Sequence, residues 1–151
     1  KLGVVSSSDR FMVLADIPGL IKGAHKGKGA GISFLGHIER CKVLIHLLDS
    51  TSKELEHDYH TVLNELKRYD EKLLNKPRIT VLNKIDVLSK ESIQDQLQII
   101  QKYENKIYLV SAKKNIGTND VLLECSRQIN QQNKNLDKFG ESKKEWNPIN
   151  H

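Results

Sequence analysis

Ile79-Thr80-Val81-Leu82-Asn83-Lys84-Ile85-Asp86 is the stretch that decides the fold. Its first four residues are apolar or β-branched without interruption, and the run stops abruptly at an asparagine. Strands that lie inside a parallel sheet are covered on both faces, so they read as unbroken apolar runs. Upstream, Val43-Leu44-Ile45-His46-Leu47-Leu48 repeats the pattern and ends at Asp49. Downstream, Ile107-Tyr108-Leu109-Val110 repeats it again and ends at Ser111. Between these runs the apolar spacing changes to that of helices. Leu55, Tyr59, Val62, Leu66 and Tyr69 mark one, broken by Pro77. Ile93, Leu97 and Ile100 mark a second. Val121, Leu122, Cys125 and Ile129 mark a third, with Gly117 and Thr118 at its start. Strands alternating with helices predict an α/β fold, a mostly parallel sheet with helices on both faces.

The N-terminal part reads differently. Leu2 to Ser7 is valine-rich, Ser8-Asp9-Arg10 is a turn, and Phe11-Met12-Val13-Leu14-Ala15 leads into Asp16. Two strands joined so briefly pair antiparallel. Gly19, Gly23, Gly27, Gly29, Gly31 and Gly36 follow, a spacing that predicts a mobile backbone rather than a packed element. Helical spacing resumes from Ser33 to Arg40 through Phe34, Leu35 and Ile38. From about Gln131 the chain is rich in Asn, Gln, Lys and Glu. The expected division is one domain over residues 1–131 and a polar, disordered tail over residues 132–151.

Composition narrows the function classes. The 151 residues suit one domain, 38% are hydrophobic, and the net charge of +5 permits RNA contact without requiring it. No run of roughly 18 apolar residues exists, which excludes a membrane-spanning helix. The chain opens on Lys1 with no signal peptide, so further sequence upstream is expected. Cys41 and Cys125 are expected as buried thiols in a reducing cytoplasm, and no His/Cys spacing fits zinc.

In open α/β sheets, ligands bind beyond the carboxyl ends of the strands. Those ends carry Asp16-Ile17-Pro18-Gly19, Asn83-Lys84-Ile85-Asp86 and Ser111-Ala112-Lys113. Each set has a chemical logic. Asp86 can accept two hydrogen bonds from the N1–H and exocyclic amine of guanine, a donor pair that adenine lacks. Asn83 can bond the base and tether neighbouring loops. The stem of Lys84 can lie along the base while its ammonium stays hydrated. The Ser111-Ala112-Lys113 turn can offer a backbone N–H to a 6-oxo group. Asp16 can reach Mg²⁺ through a water, and Gly19 leaves its N–H open to a γ-phosphate oxygen, whose loss would release the glycine-rich segment. These three sets, in this order at strand ends, resemble the downstream motifs of a GTPase.

The run Asp16-Ile17-Pro18-Gly19-Leu20-Ile21, the glycine series, Phe34-Leu35-Gly36-His37-Ile38-Glu39-Arg40 and Val43-Leu44-Ile45-His46-Leu47-Leu48-Asp49 resembles the switch II region of Obg-family GTPases and the strand after it. Leu2-Gly3-Val4-Val5 resembles the strand that follows switch I. The resemblance covers Leu2 to about Ile129. It implies a P-loop NTPase-like G domain that binds GTP and GDP with Mg²⁺ and hydrolyses GTP slowly. It further implies a bacterial, cytoplasmic monomer acting on the large ribosomal subunit, through rRNA and protein, in assembly and stress control. Leu20 stands where many GTPases place a water-orienting glutamine, so no catalytic base is named. His25 reads as a solvated loop histidine and Trp146 as a lone aromatic.

The phosphate-binding loop is missing. No G-x-x-x-x-G-K-[ST] occurs, and Gly27-Lys28 is followed by Gly29. The switch I threonine, a direct metal ligand by the same resemblance, is also absent, as are the first strand and first helix of a G domain. In that fold the missing strand lies between the strands that here end at Asp16 and Asp49. Two exposed sheet edges and an unstable isolated chain are therefore expected. The alternative is a truncated or degenerate G domain that binds RNA or protein without hydrolysing nucleotide. An ATP-using kinase or dinucleotide enzyme is disfavoured by Asp86 and by the lack of GxGxxG.

Overall fold

A computed structural model describes residues 2–7, 10–17 and 38–141. The turn at Ser8 and Asp9, the sites Pro18 and Gly19, the glycine series with Leu20 and His25, and Trp146 lie outside the described residues. Strands β1 (Leu2–Ser7) and β2 (Arg10–Ala15) pair antiparallel with Leu2 opposite Ala15 and Ser7 opposite Arg10. Strands β3 (Leu44–Asp49), β4 (Arg78–Asn83) and β5 (Ile107–Leu109) form a parallel sheet in the order β3-β4-β5. Both pairings match the expectation.

Helix α1 (Leu55–Tyr69) starts without a side-chain cap from Glu54. Ser52 supports that end instead, accepting from Glu54 N at 3.1 Å and donating to Asp58 at 2.5 Å. Helix α2 (Lys90–Ile100) is capped by Ser89, whose hydroxyl accepts from Ser92 N at 3.1 Å. Helix α3 spans Thr118–Glu141.

The helices divide between the faces of the sheet. Alternation along β4 sends Leu82 to one side, where it meets Leu48, Leu55, Tyr59 and Ile100 from β3, α1 and α2. Leu82 and Ile100 are wholly buried, and each such side chain contributes about 2 kcal/mol of hydrophobic stabilisation. Ile79 and Val81 point the other way and pack with Val110, Val121 and Cys125 of the β5 end and α3. Met12 of β2 belongs to this second cluster, with Val5 of β1 and Ile129 of α3 against it. Helix α3 thus clasps the hairpin to a sheet with which the hairpin shares no ladder.

Between β2 and β3 lies a slot of about 950 Å³, lined by Val13, Leu14 and Asp16 on one wall and Leu44, Ile45 and Leu47 on the other. Three of its lining side chains, Leu2, Val13 and Leu47, are more than half exposed. This is where the sequence reading expects a strand to be lacking.

Three expectations are corrected. Strand β3 is not covered on both faces, because burial alternates and Ile45 and Leu47 are open. Cys125 is buried but Cys41 is only half-buried, at the slot's rim, and neither forms a disulfide. Burial pushes the Cys125 thiol up to about 11 and raises that of Cys41 despite the charge of Lys76. Finally, the polar region expected to be disordered from residue 132 is helical through Glu141. A helix already nucleated and docked extends at one hydrogen bond per residue fixed. It is also tied down: Gln132 Nε2 donates to Lys42 O at 2.8 Å and Lys42 Nζ donates to Asn133 Oδ1 at 2.7 Å. Composition alone misses tethers of this kind.

Candidate functional site

The carboxyl ends of β3, β4 and β5 form one rim. Asp49 and Asn83 are register partners at the end of the β3–β4 ladder, and Ser50 N donates to Asn83 O at 3.0 Å. Beyond the ladder, Val110 N donates to Leu82 O at 2.8 Å and Ile85 N to Val110 O at 3.2 Å. These bonds carry the β4 loop and the β5 loop side by side past the sheet. The 111–116 loop closes on itself, Ser111 and Ile116 exchanging backbone bonds of 3.0 Å in both directions. Gly117, at φ +70°, then turns the chain into α3.

Side chains join the two loops. Asn83 Oδ1 accepts from Ala112 N at 3.0 Å, and Ser111 Oγ donates to Asp86 Oδ1 at 2.6 Å. Asn83, Asp86, Ser111 and Ala112 are therefore neighbours, although 25 to 29 residues separate the bonded pairs. The Ser111 hydroxyl is the chief reason that the Asp86 carboxyl titrates below its ordinary range, with Lys114 and Lys113 adding their fields. Asp86 is a half-buried, ionised acceptor with one oxygen bound to Ser111.

Lys84 adopts the left-handed conformation, φ 68° and ψ 28°, and opens a 3-10 turn over Ile85–Val87. Its ammonium donates to Asp49 Oδ2 at 2.6 Å. Asp49 Oδ1 accepts from Thr51 N at 2.9 Å and from Thr51 Oγ1 at 2.6 Å. Partial burial raises the Asp49 carboxyl, but the bonds from Lys84 and Thr51 outweigh it and hold the group below its ordinary range. Lys113 is exposed beside Asp86. Ile85 takes part through its backbone N–H.

Asp16 and Ile17 stand at the end of β2, across the slot from β3. Ile17 packs against the cluster of Ile38, Leu44, Leu66 and Leu73, so its side chain anchors the segment that enters Pro18 and Gly19. Asp16 is exposed at the rim of the slot. Among the described residues no group of three or more His, Cys, Asp or Glu side chains could hold a metal ion.

Sequence reading missed two contacts. The Asp49–Lys84 pair spans 35 positions, and only the ladder register brings its members together. The second is the bond from the Ser111 hydroxyl to Asp86, 25 positions apart; the tethering expected of Asn83 is present, its Oδ1 accepting from Ala112 N.

Beneath the rim, His46 of β3 is buried and stacks on Tyr59 at 5.1 Å. Burial, then the charge of Arg78, lowers its pKa to about 4. Tyr59 donates to Glu104 Oε1 at 2.7 Å, and Arg78 pairs with the same oxygen at 2.9 Å.

A family profile described as 50S ribosome-binding GTPase matches residues 1–84. GTPase Obg of Rickettsia felis is 48% identical over 133 residues, which is 87% of this chain and 40% of that protein. GTPase Obg of Rickettsia massiliae is 50% identical over 123 residues, 81% of this chain and 37% of that protein. The chain thus spans about two fifths of the length of these curated relatives. A crystal structure of a nucleolar GTP-binding protein 1 from Plasmodium falciparum superposes with a TM-score of 0.62 at 15% identity, covering 94% of this chain and 76% of that one. That likeness concerns the fold, a P-loop NTPase-like G domain. With residues 1–84 matched by the family profile and curated relatives near 50% identity over most of its length, the chain belongs to the Obg family of 50S ribosome-binding GTPases.

Proposed function

We propose that this chain supplies the base-reading half of a GTP-binding site in a protein that hydrolyses GTP slowly and uses the cycle as a switch on the large ribosomal subunit. The observation that carries the reading is the pair of bonds Asn83–Ala112 and Ser111–Asp86, which fixes two loops around one open carboxylate. A carboxylate held ionised, with a free lone pair on each oxygen, matches the paired N1–H and 2-amino donors of guanine. Adenine would leave it desolvated and unpaired. A 6-oxo group then takes the Ala112 N–H in place of Asn83.

The remaining assignments follow by family membership and position. Asp16 would be the residue of this chain that holds Mg²⁺, which would supply charge neutralisation at the phosphates. Pro18 and Gly19 begin the segment that senses the γ-phosphate. Lys84 flanks the base, and Ile85 and Lys113 shape the loops. The G-domain part takes in helix α3, which runs on through Glu141, in a protein that works as a cytoplasmic monomer in ribosome assembly and stress control. The phosphate cradle is not encoded in these 151 residues. The slot between β2 and β3 suits the strand that would precede it, since both walls offer unpaired ladder edges.

The test uses the full-length protein and fluorescent GDP and XDP. Asp86→Asn should weaken GDP binding at least about a hundredfold and strengthen XDP binding, because an amide donates where the carboxylate accepts. Unchanged preference between the two bases would sink the reading.

A further inference from the structure

Beside the base-reading carboxylate stands a second one, Asp49, at the end of the neighbouring strand. Four contacts fix it. Its backbone closes the β3–β4 ladder opposite Asn83. The next residue, Ser50, donates to Asn83 O at 3.0 Å. Its Oδ1 accepts both the N–H and the hydroxyl of Thr51. Its remaining oxygen, Oδ2, meets Lys84 Nζ at 2.6 Å.

This pair is poorly placed to stabilise the fold. The Lys84 side chain is 55% exposed and that of Asp49 41%, and exposed ion pairs contribute little. Lys84 also sits in the left-handed region, which a residue with a Cβ adopts at a cost. The long lysine side chain has many rotamers, and freezing them opposes the contact further. A strained backbone and a solvated pair together point to placement rather than stability. Lys84 is two residues from Asp86 and on the same loop. Left without a counter-ion, its ammonium could turn to that carboxylate and occupy the acceptor that the base needs. The cations whose fields do reach Asp86 are Lys114 and Lys113.

We propose that Asp49, buttressed by Thr51, is a positioning residue for the base site: it draws the Lys84 ammonium to the β3 side, lays the four-carbon stem as a platform for the purine face, and keeps Asp86 open. The inference rests on the guanine-site reading above. Asp49 touches no base itself and acts through Lys84.

The experiment is a double-mutant cycle in the full-length protein, with Asp49→Asn, Lys84→Met and both together, reading the Kd for GDP. Asparagine keeps an acceptor for Thr51 and removes the charge. Methionine keeps an apolar stem and removes the ammonium. Asp49→Asn should weaken GDP about fivefold to tenfold in the wild-type background and have little effect in the Lys84→Met background. The melting temperature without nucleotide should not move. Equal losses in both backgrounds, no loss in either, or a fall in melting temperature that accounts for the lost affinity would overturn the inference. The two failures separate. A cycle without coupling beside an intact base switch at Asp86 overturns this proposal alone. Coupling without a base switch sinks the guanine reading alone.

Discussion

Gly117→Ala is the substitution whose cost the structure sets most directly. Gly117 has φ +70°, and a Cβ built there stands 2.3 Å from the Leu109 carbonyl oxygen. Ordinary C···O contacts lie near 3.3 Å, so the overlap is about 1 Å. The oxygen cannot yield easily, because Leu109 is in β5 and pairs with Leu82 of β4. The left-handed backbone costs an alanine about 1–2 kcal/mol, and relief of the clash by backbone movement adds a similar amount. We expect a loss of about 3 kcal/mol in urea unfolding of the full-length protein. The movement falls on the 111–116 loop, so GDP affinity should fall too, because Ala112 and Ser111 lose register with Asn83 and Asp86. Gly117→Asn separates the causes. Asparagine tolerates positive φ but carries the same Cβ, so it should be nearly as harmful as alanine. Wild-type stability and affinity in the alanine variant would refute the reasoning, and a benign asparagine would show that φ alone matters.

Two further outcomes follow. His46 is neutral when folded, with a pKa of about 4 against 6.5 for the free group. The unfolded chain therefore takes up the proton first as pH falls, and stability drops between pH 6.5 and 4, by at most about 3 kcal/mol from this group. Urea titrations at pH 7 and 4.5 should differ less in His46→Phe, which keeps a ring on Tyr59; an unchanged difference would dismiss His46 as the cause. For the 151-residue chain alone, the exposed edges of β2 and β3 predict aggregation or a broad, non-cooperative thermal transition, and a sharp reversible melt would refute it.

Much of this architecture can be read from the chain because apolar runs and helical spacing are local signals. The ends of β3 and β4 were legible as the residues where an apolar run stops, and Asn83, Asp86, Ser111 and Ala112 do meet. What stayed hidden depends on register. No spacing rule links Asp49 to Lys84 or assigns the Ser111 hydroxyl to Asp86, since both contacts require the parallel ladder to be aligned first. The open face of β3 was misread because an unbroken apolar run assumes cover on both sides, and the slot withholds it. The end of α3 was misread because composition reports average polarity, whereas Gln132 and Asn133 are held by single bonds to Lys42.

Helix α3 clasps the hairpin onto the parallel sheet, and this has a consequence for biosynthesis. The hairpin is local and can form as soon as it leaves the ribosome. The helix that fixes it beside β4 begins about a hundred residues later, some 5–20 seconds at ordinary elongation rates. During that interval the hairpin's apolar edge has no lasting partner, and whatever strand is destined for the slot must wait with it. The nascent chain should therefore be a holdase client, and slower codons before Thr118 would lengthen its exposure.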